Sequence, residues 1–157
     1  MSNENRSRRQ LLGAALAAVV AAGVPGLVRA QRQKPSIEVW KSESCGCCHE
    51  WVAHLERNGF RVKVNDVAGP SEYREKFGMP DRYGSCHTAK VDGYVLEGHV
   101  PAREIHRLLK ERPKALGLAV PGMPVGSPGM EVGSRKDPYD VLLVAHDGRA
   151  SVYQSYR

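Results

Sequence analysis

Thiols crowd into one four-residue window of this chain, Cys45-Gly46-Cys47-Cys48, and the pattern on either side fixes how that window is held. Upstream, Ile37 and Val39 alternate with polar residues as a half-buried strand does. Downstream, Cys48, Trp51, Val52 and Leu55 recur at helical spacing from Cys48 to Asn58, and Gly59 stands where a helix C-terminal cap belongs. Phe60-Arg61-Val62-Lys63-Val64 then alternates again. Strand, helix and strand within about thirty residues predict two parallel neighbouring strands joined by a right-handed crossover. The thiols fall where the helix begins. Free backbone N–H groups and the positive end of the dipole favour deprotonation there, and the thiolate is both the nucleophile and the metal ligand.

The rest of the chain extends this unit. Pro70 suits the first position of a short helix, which Gly78 closes ahead of Met79-Pro80. Ala89-Lys90-Val91 and Tyr94-Val95-Leu96 flank Asp92-Gly93, a strong signal for a tight hairpin. Pro101 opens a third helix with Ala102, Ile105, Leu108 and Leu109 on one face, and Pro113 stops it. Five glycines and three prolines between Gly117 and Gly133 predict a constrained loop. Val141–Ala145 and Ala150–Tyr156 form a second hairpin turning at Asp147-Gly148. The predicted architecture is α/β, a thin sandwich with a small, open mixed sheet flanked by helices.

Residues 1–30 read as an export signal. Arg6, Arg8 and Arg9 precede an apolar, alanine-rich run from Leu11 to Val24, Pro25-Gly26 break it, and Val28-Arg29-Ala30 offers small residues to a signal peptidase. Ser7-Arg8-Arg9-Gln10-Leu11-Leu12 resembles the twin-arginine signature, whose route carries folded proteins. The run is shorter than the roughly 20 residues of a spanning helix, so no membrane contact is expected once the signal is removed. The expected location is the periplasm, and residues 31–157 form the working domain. The signal holds four of the 23 basic residues and one of the 17 acidic ones, which leaves a net charge of +3 on the remainder. No basic run survives there, so nothing supports nucleic-acid binding.

Cys45 and Cys48 make a C-x-x-C pair, the spacing of thiol–disulfide exchange, with Cys47 as an extra thiol inside it. A third neighbour offers competing disulfides, which argues against a simple exchanger and for a soft metal. Close thiolates suit Cu(I) and can bridge several such ions; a four-cysteine zinc site or a structural disulfide to Cys86 are the alternatives. Cys86-His87 supplies a fourth sulfur with a nitrogen beside it. His49 is either a ligand or a surface residue of the helix, and His99 reads as structural; His54, His106 and His146 have no partner in sequence. Met123 and Met130 lie in the Gly/Pro loop, where no packing period explains them, and their thioethers are candidate soft ligands.

Cys45-Gly46-Cys47-Cys48, Ser85-Cys86-His87-Thr88-Ala89, the run from Gly93 to Pro101 containing Glu97-Gly98-His99, and the run from Gly122 to Glu131 occur in that order. Together they resemble the CopG family of periplasmic copper-resistance proteins over essentially all of residues 37–156. The resemblance implies a thioredoxin-like fold, one or more copper ions on Cys45, Cys47, Cys48 and Cys86, and a role in copper tolerance with interconversion of Cu(I) and Cu(II). Other periplasmic copper-handling proteins are the expected partners. The fold also implies a cis-proline facing the thiols, at Pro124 with Pro121 as rival, which would turn Met123 toward the cluster. A periplasmic thiol–disulfide oxidoreductase and a zinc- or disulfide-stabilised binding module are the competing readings.

Overall fold

The computed structural model describes residues 33–157, so the expected signal segment lies outside the described residues. Strand β1 (Ser36–Lys41) leads into helix α1 (Gly46–Arg57), and β2 (Arg61–Asp66) returns parallel to β1. Helix α2 (Ser71–Lys76) and a single 3-10 turn (Asp81–Tyr83) lead to the hairpin of β3 (His87–Val91) and β4 (Tyr94–Glu97). Helix α3 (Ala102–Glu111), β5 (Gly117–Ala119) and the hairpin of β6 (Tyr139–Val144) and β7 (Ala150–Tyr156) complete the chain. The seven strands form one mixed sheet in the order β2-β1-β3-β4-β5-β6-β7, compatible with a thioredoxin-like sandwich. Among the described residues no helix is long and apolar enough to cross a membrane.

Alternation along the strands sorts side chains to the two faces of the sheet. Ile37 and Val39 of β1, Ala89 and Val91 of β3, Leu96 of β4, Leu118 of β5 and Val141 of β6 meet Trp51 and Leu55 of α1 and Ile105 and Leu108 of α3. The valines, leucines and isoleucines among them contribute roughly 1.5–3 kcal/mol each when fully buried. A smaller cluster holds Met79, Val95, Ala119 and Val144. Trp40 of β1 stacks on Tyr73 of α2 with ring centres 5.2 Å apart. Alternation along β1 turns Trp40 away from Ile37 and Val39, so α2 covers the face opposite α1.

Two sequence expectations need correction. Helix α1 starts at Gly46, two residues before the apolar period begins, because glycine and cysteine at its first turn contribute nothing to that period. The Gly117–Gly133 segment is not loop throughout, since Gly117–Ala119 forms β5 between β4 and β6. Gly117 pairs with Val95, and a Cβ there would stand 1.7 Å from the Val95 carbonyl oxygen. Glycine marks a close strand approach at this position. Alanine at 117 should therefore cost more than the ~1–2 kcal/mol of a strained left-handed residue, because strands β4 and β5 must part. Urea unfolding of Gly117→Ala beside Gly93→Ala, whose Cβ meets nothing within 4 Å, separates the two causes. Equal losses would show that β5 has room to shift.

Candidate metal centre

Cys45 occupies the N-cap of α1 with extended backbone (φ −78°, ψ 93°), and no side chain caps this end. The helical ladder starts with the His49 N–H donating to the Cys45 carbonyl at 3.3 Å. The N–H groups of Gly46, Cys47 and Cys48 therefore face out of the helix start with the positive end of the dipole. Cys45 and Cys48 are joined as a disulfide across one turn, their Cα atoms 5.3 Å apart, while Cys47 and Cys86 are free thiols. Cys47 Sγ lies 3.5 Å from Cys45 Sγ and 3.9 Å from Cys86 Sγ. All four sulfurs fall within 4.8 Å of one another.

The β3–β4 hairpin delivers the other donors. Asp92 and Gly93 both adopt positive φ (46° and 90°), and the turn pairs Val91 with Tyr94 and Thr88 with Glu97. Pairing continues past the strand ends, with the Gly98 N–H donating to the His87 carbonyl at 3.0 Å, so Cys86 stands across from His99. His99 Nδ1 lies 2.8 Å from the Pro128 carbonyl, an acceptor, so this nitrogen carries the proton and Nε2 aims its lone pair at Cys86 Sγ, 3.1 Å away. His87 is fixed in the opposite sense. Its Nε2–H donates to the Gly98 carbonyl at 2.9 Å, and Nδ1 lies 3.4 Å from the same sulfur. Cys86, His87 and His99 thus converge as one sulfur and two nitrogens within 4.8 Å.

Burial sets the protonation of this group. It pushes His87 down to about 3, with the neighbouring His99 and Lys41 adding to the effect, and it lowers His99 as well. Both rings are neutral donors at physiological pH. Burial also pushes the Cys86 thiol up to about 12, helped by Cys47 beside it. Without a metal, Cys86 is an S–H placed to donate to His99 Nε2. A metal ion bound there must displace that proton.

Two further elements hold the geometry. Glu97, fully buried at the end of β4, accepts the Ser85 N–H at 2.7 Å, the Thr88 hydroxyl at 2.6 Å and the Arg74 guanidinium at 3.1 Å. Burial raises its carboxyl above the usual range, against the lowering effect of those three donors. The carboxylate pins the backbone one residue before Cys86. On the other side, the Pro128-Gly129 turn presses onto α1, where a Cβ at Gly129 would stand 2.7 Å from both the Cys47 carbonyl and the Trp51 nitrogen. Trp51 lies over His87 with ring centres 4.2 Å apart and donates its indole N–H to the Val100 carbonyl at 2.9 Å.

The family model described as "Protein of unknown function, DUF411" matches residues 83–130. No curated protein sequence matches the chain. The solved structure "Copper resistance protein copG- Form 2" is 48% identical, with a TM-score of 0.75 over 78% of this chain and 98% of that one. "Copper resistance protein copG- Form 1" is 49% identical, with a TM-score of 0.73 over 77% of this chain and 96% of that one. The chain belongs to the CopG family. The CopG likeness covers 78% of the chain, whereas the family model by itself takes in Cys86, His87 and His99 but not the cysteine helix.

Of the residues expected at the site, Cys45, Cys47, Cys48, Cys86 and His87 come together. Cys45 and Cys48 can serve as thiolates only after their disulfide is reduced. Met123 is 52% exposed beside Gly122, whose carbonyl accepts the Ser85 hydroxyl, so it sits on the rim rather than in the interior. Met130 is half-buried, its N–H donating to the Ser127 carbonyl at 2.8 Å. His49 is exposed. The expected cis-proline is absent: every described peptide bond is trans, Pro124 and Pro121 included. At Pro124 the chain turns by bonding the Ser127 N–H and hydroxyl to the Pro124 carbonyl, and it is Pro128-Gly129 that touches the cysteine helix.

His99, structural by its sequence surroundings, is a donor of the site. A signal for it exists, because a two-residue turn at Asp92-Gly93 pairs residues whose numbers sum to that of 92 and 93, and 86 and 99 satisfy the same sum. Glu97 and Arg74 were also missed, since they lie 23 residues apart with no shared motif. Removing the carboxylate leaves Arg74 with only the exposed Asp81 as counter-charge and frees the Ser85 and Thr88 donors. Glu97→Ala should therefore lose about 3–5 kcal/mol of unfolding free energy, and Glu97→Gln clearly less. A loss below ~1 kcal/mol for alanine in urea unfolding would mean that Asp81 alone holds Arg74.

Proposed function

We propose that this protein is a periplasmic copper-binding protein of copper tolerance, which takes copper as its cargo and passes it between Cu(I) and Cu(II). One observation carries the reading: four sulfurs lie within 4.8 Å of one another, and two buried, neutral imidazoles share one of those sulfurs, Cys86. Clustered thiolates are soft donors that suit Cu(I) and can bridge more than one ion. Two imidazoles with one thiolate are the donor set of copper sites that carry electrons, because it serves both valences. The names of the two similar structures support the same metal. A structural zinc site fits less well, since such sites take four closed ligands from separated pairs, whereas here a four-sulfur group and a sulfur with two imidazoles share Cys86.

Cys86 belongs to both donor groups, so Cys86→Ser should lower copper stoichiometry at least as much as Cys48→Ser. His99→Gln should weaken copper on the order of 10–100-fold while all four cysteines remain. Met123→Leu keeps the volume and should cost under ~1.5 kcal/mol, so a change in copper affinity or potential with an unmoved metal-free Tm would make Met123 a rim ligand. Copper titration with metal analysis checks all four variants. Normal copper binding by Cys86→Ser would defeat the single-site reading. The Cys45–Cys48 disulfide favours a second reading, a thiol–disulfide oxidoreductase. Reduction of insulin disulfides by the metal-free protein would support that reading, and inactivity would remove it.

The periplasmic location rests on Arg8-Arg9 and the short apolar run after them. Replacing both arginines by lysine should leave unprocessed precursor in the cytoplasm on cell fractionation. Undisturbed delivery would assign export to the general secretory route instead.

A further inference from the structure

The four cysteines are not equivalent, and their division has a chemical meaning. Cys45 and Cys48 are closed on each other, whereas Cys47 and Cys86 remain thiols although their sulfurs stand 3.9 Å apart. Cys45 and Cys48 lie one helical turn apart on a single rigid element, so they can open and close without moving any other part of the site. Cys86 is tied instead to the hairpin, with two imidazole lone pairs directed at its sulfur. Closing the first pair leaves Cys47, Cys86, His87 Nδ1 and His99 Nε2 free to hold a metal. Cys47 joins the two groups, 3.5 Å from Cys45 on one side and 3.9 Å from Cys86 on the other.

Resting on the copper reading above, we propose that the Cys45/Cys48 pair is the electron store of the site, reducing Cu(II) held by Cys47, Cys86, His87 and His99. Two Cu(II) ions each accept one electron. The Cys45 and Cys48 thiols lose those two electrons and two protons, the S–S bond forms between them, and the protons pass to water. In the reverse direction two Cu(I) ions give up one electron each, the disulfide takes up two protons, and both thiols return. The step also acts on affinity. Reduction makes the softer ion and in the same event removes two of the four thiolates that would hold it, so the Cu(I) produced is bound less tightly than it would be by the open cluster.

The test uses fully reduced protein, freed of reductant under anaerobic conditions and given two equivalents of Cu(II) sulfate. A chromogenic Cu(I) chelator counts reduced copper, and acid quenching with alkylation and tryptic mapping locates the thiols that are lost. The expected result is two Cu(I) per chain with two thiols consumed. The fragment from Ser42 to Arg57 should carry a single alkyl group, on Cys47, and the fragment from Tyr83 to Lys90 should be alkylated on Cys86. The double variant Cys45→Ser/Cys48→Ser, checked as folded by circular dichroism, should bind Cu(II) with a thiolate charge-transfer band and yield Cu(I) at least tenfold more slowly. Cross-linking of the two fragments through Cys47 and Cys86, or Cu(I) formation by the double variant at the parent rate, overturns the store while leaving copper binding intact. Failure of the reduced parent to bind copper at all overturns the copper reading and the store with it.

Discussion

A turn of only two residues, Asp92-Gly93, sets the register of β3 against β4, and the site follows from that register. A one-residue slip in an antiparallel pair sends every side chain to the opposite face of the sheet. Here it would also separate Cys86 from His99, move the Gly98 carbonyl away from His87, and take Glu97 from Thr88 and Ser85. Glu97 holds Thr88 and Ser85 of the facing segment, Gly98 holds His87, and His99 meets Cys86. A local backbone constraint far from the sulfurs thus decides which atoms meet beside them.

The polar groups that complete this arrangement are buried at a cost, and each is matched. Glu97 has three donors, both histidines have a carbonyl for their N–H, and Lys41, fully buried, pairs with Asp66 at 2.7 Å. Among the described residues no buried side-chain nitrogen or oxygen lacks a partner. An unmatched group in such surroundings would cost about 1–3 kcal/mol, more if charged, so this pattern both orients the donors and penalises alternative packings. The helix start contributes differently. Its unsatisfied N–H groups are not buried costs but a field that favours negative sulfur.

Much of this was legible in the sequence, and the misses share a cause. The β-α-β unit, the two hairpins and the third helix follow from hydrophobic period and turn residues, both local signals. The cysteine cluster, Cys86 and His87 were visible because thiols are rare and crowd together. Gly117 misled because glycine signals a turn in sequence, whereas here it answers to a strand across the sheet at Val95. The cis-proline expectation came from the fold's general habit, and this loop instead closes by a Ser127–Pro124 turn. The immediate sequence neighbours of His99 carry no sign of its partner, which lies 13 positions away at Cys86.

Trp51 gives the molecule an optical property as well as a packed core. Of its two tryptophans, Trp40 stacks on Tyr73, on the sheet face away from α1, while Trp51 is fully buried with its indole ring 4.2 Å from His87. An excited indole loses its energy readily to a paramagnetic ion or a thiolate-bound metal at such a separation. The emission of Trp51 is therefore an intrinsic gauge of what occupies the hairpin end, with Trp40 as an internal reference in the same chain.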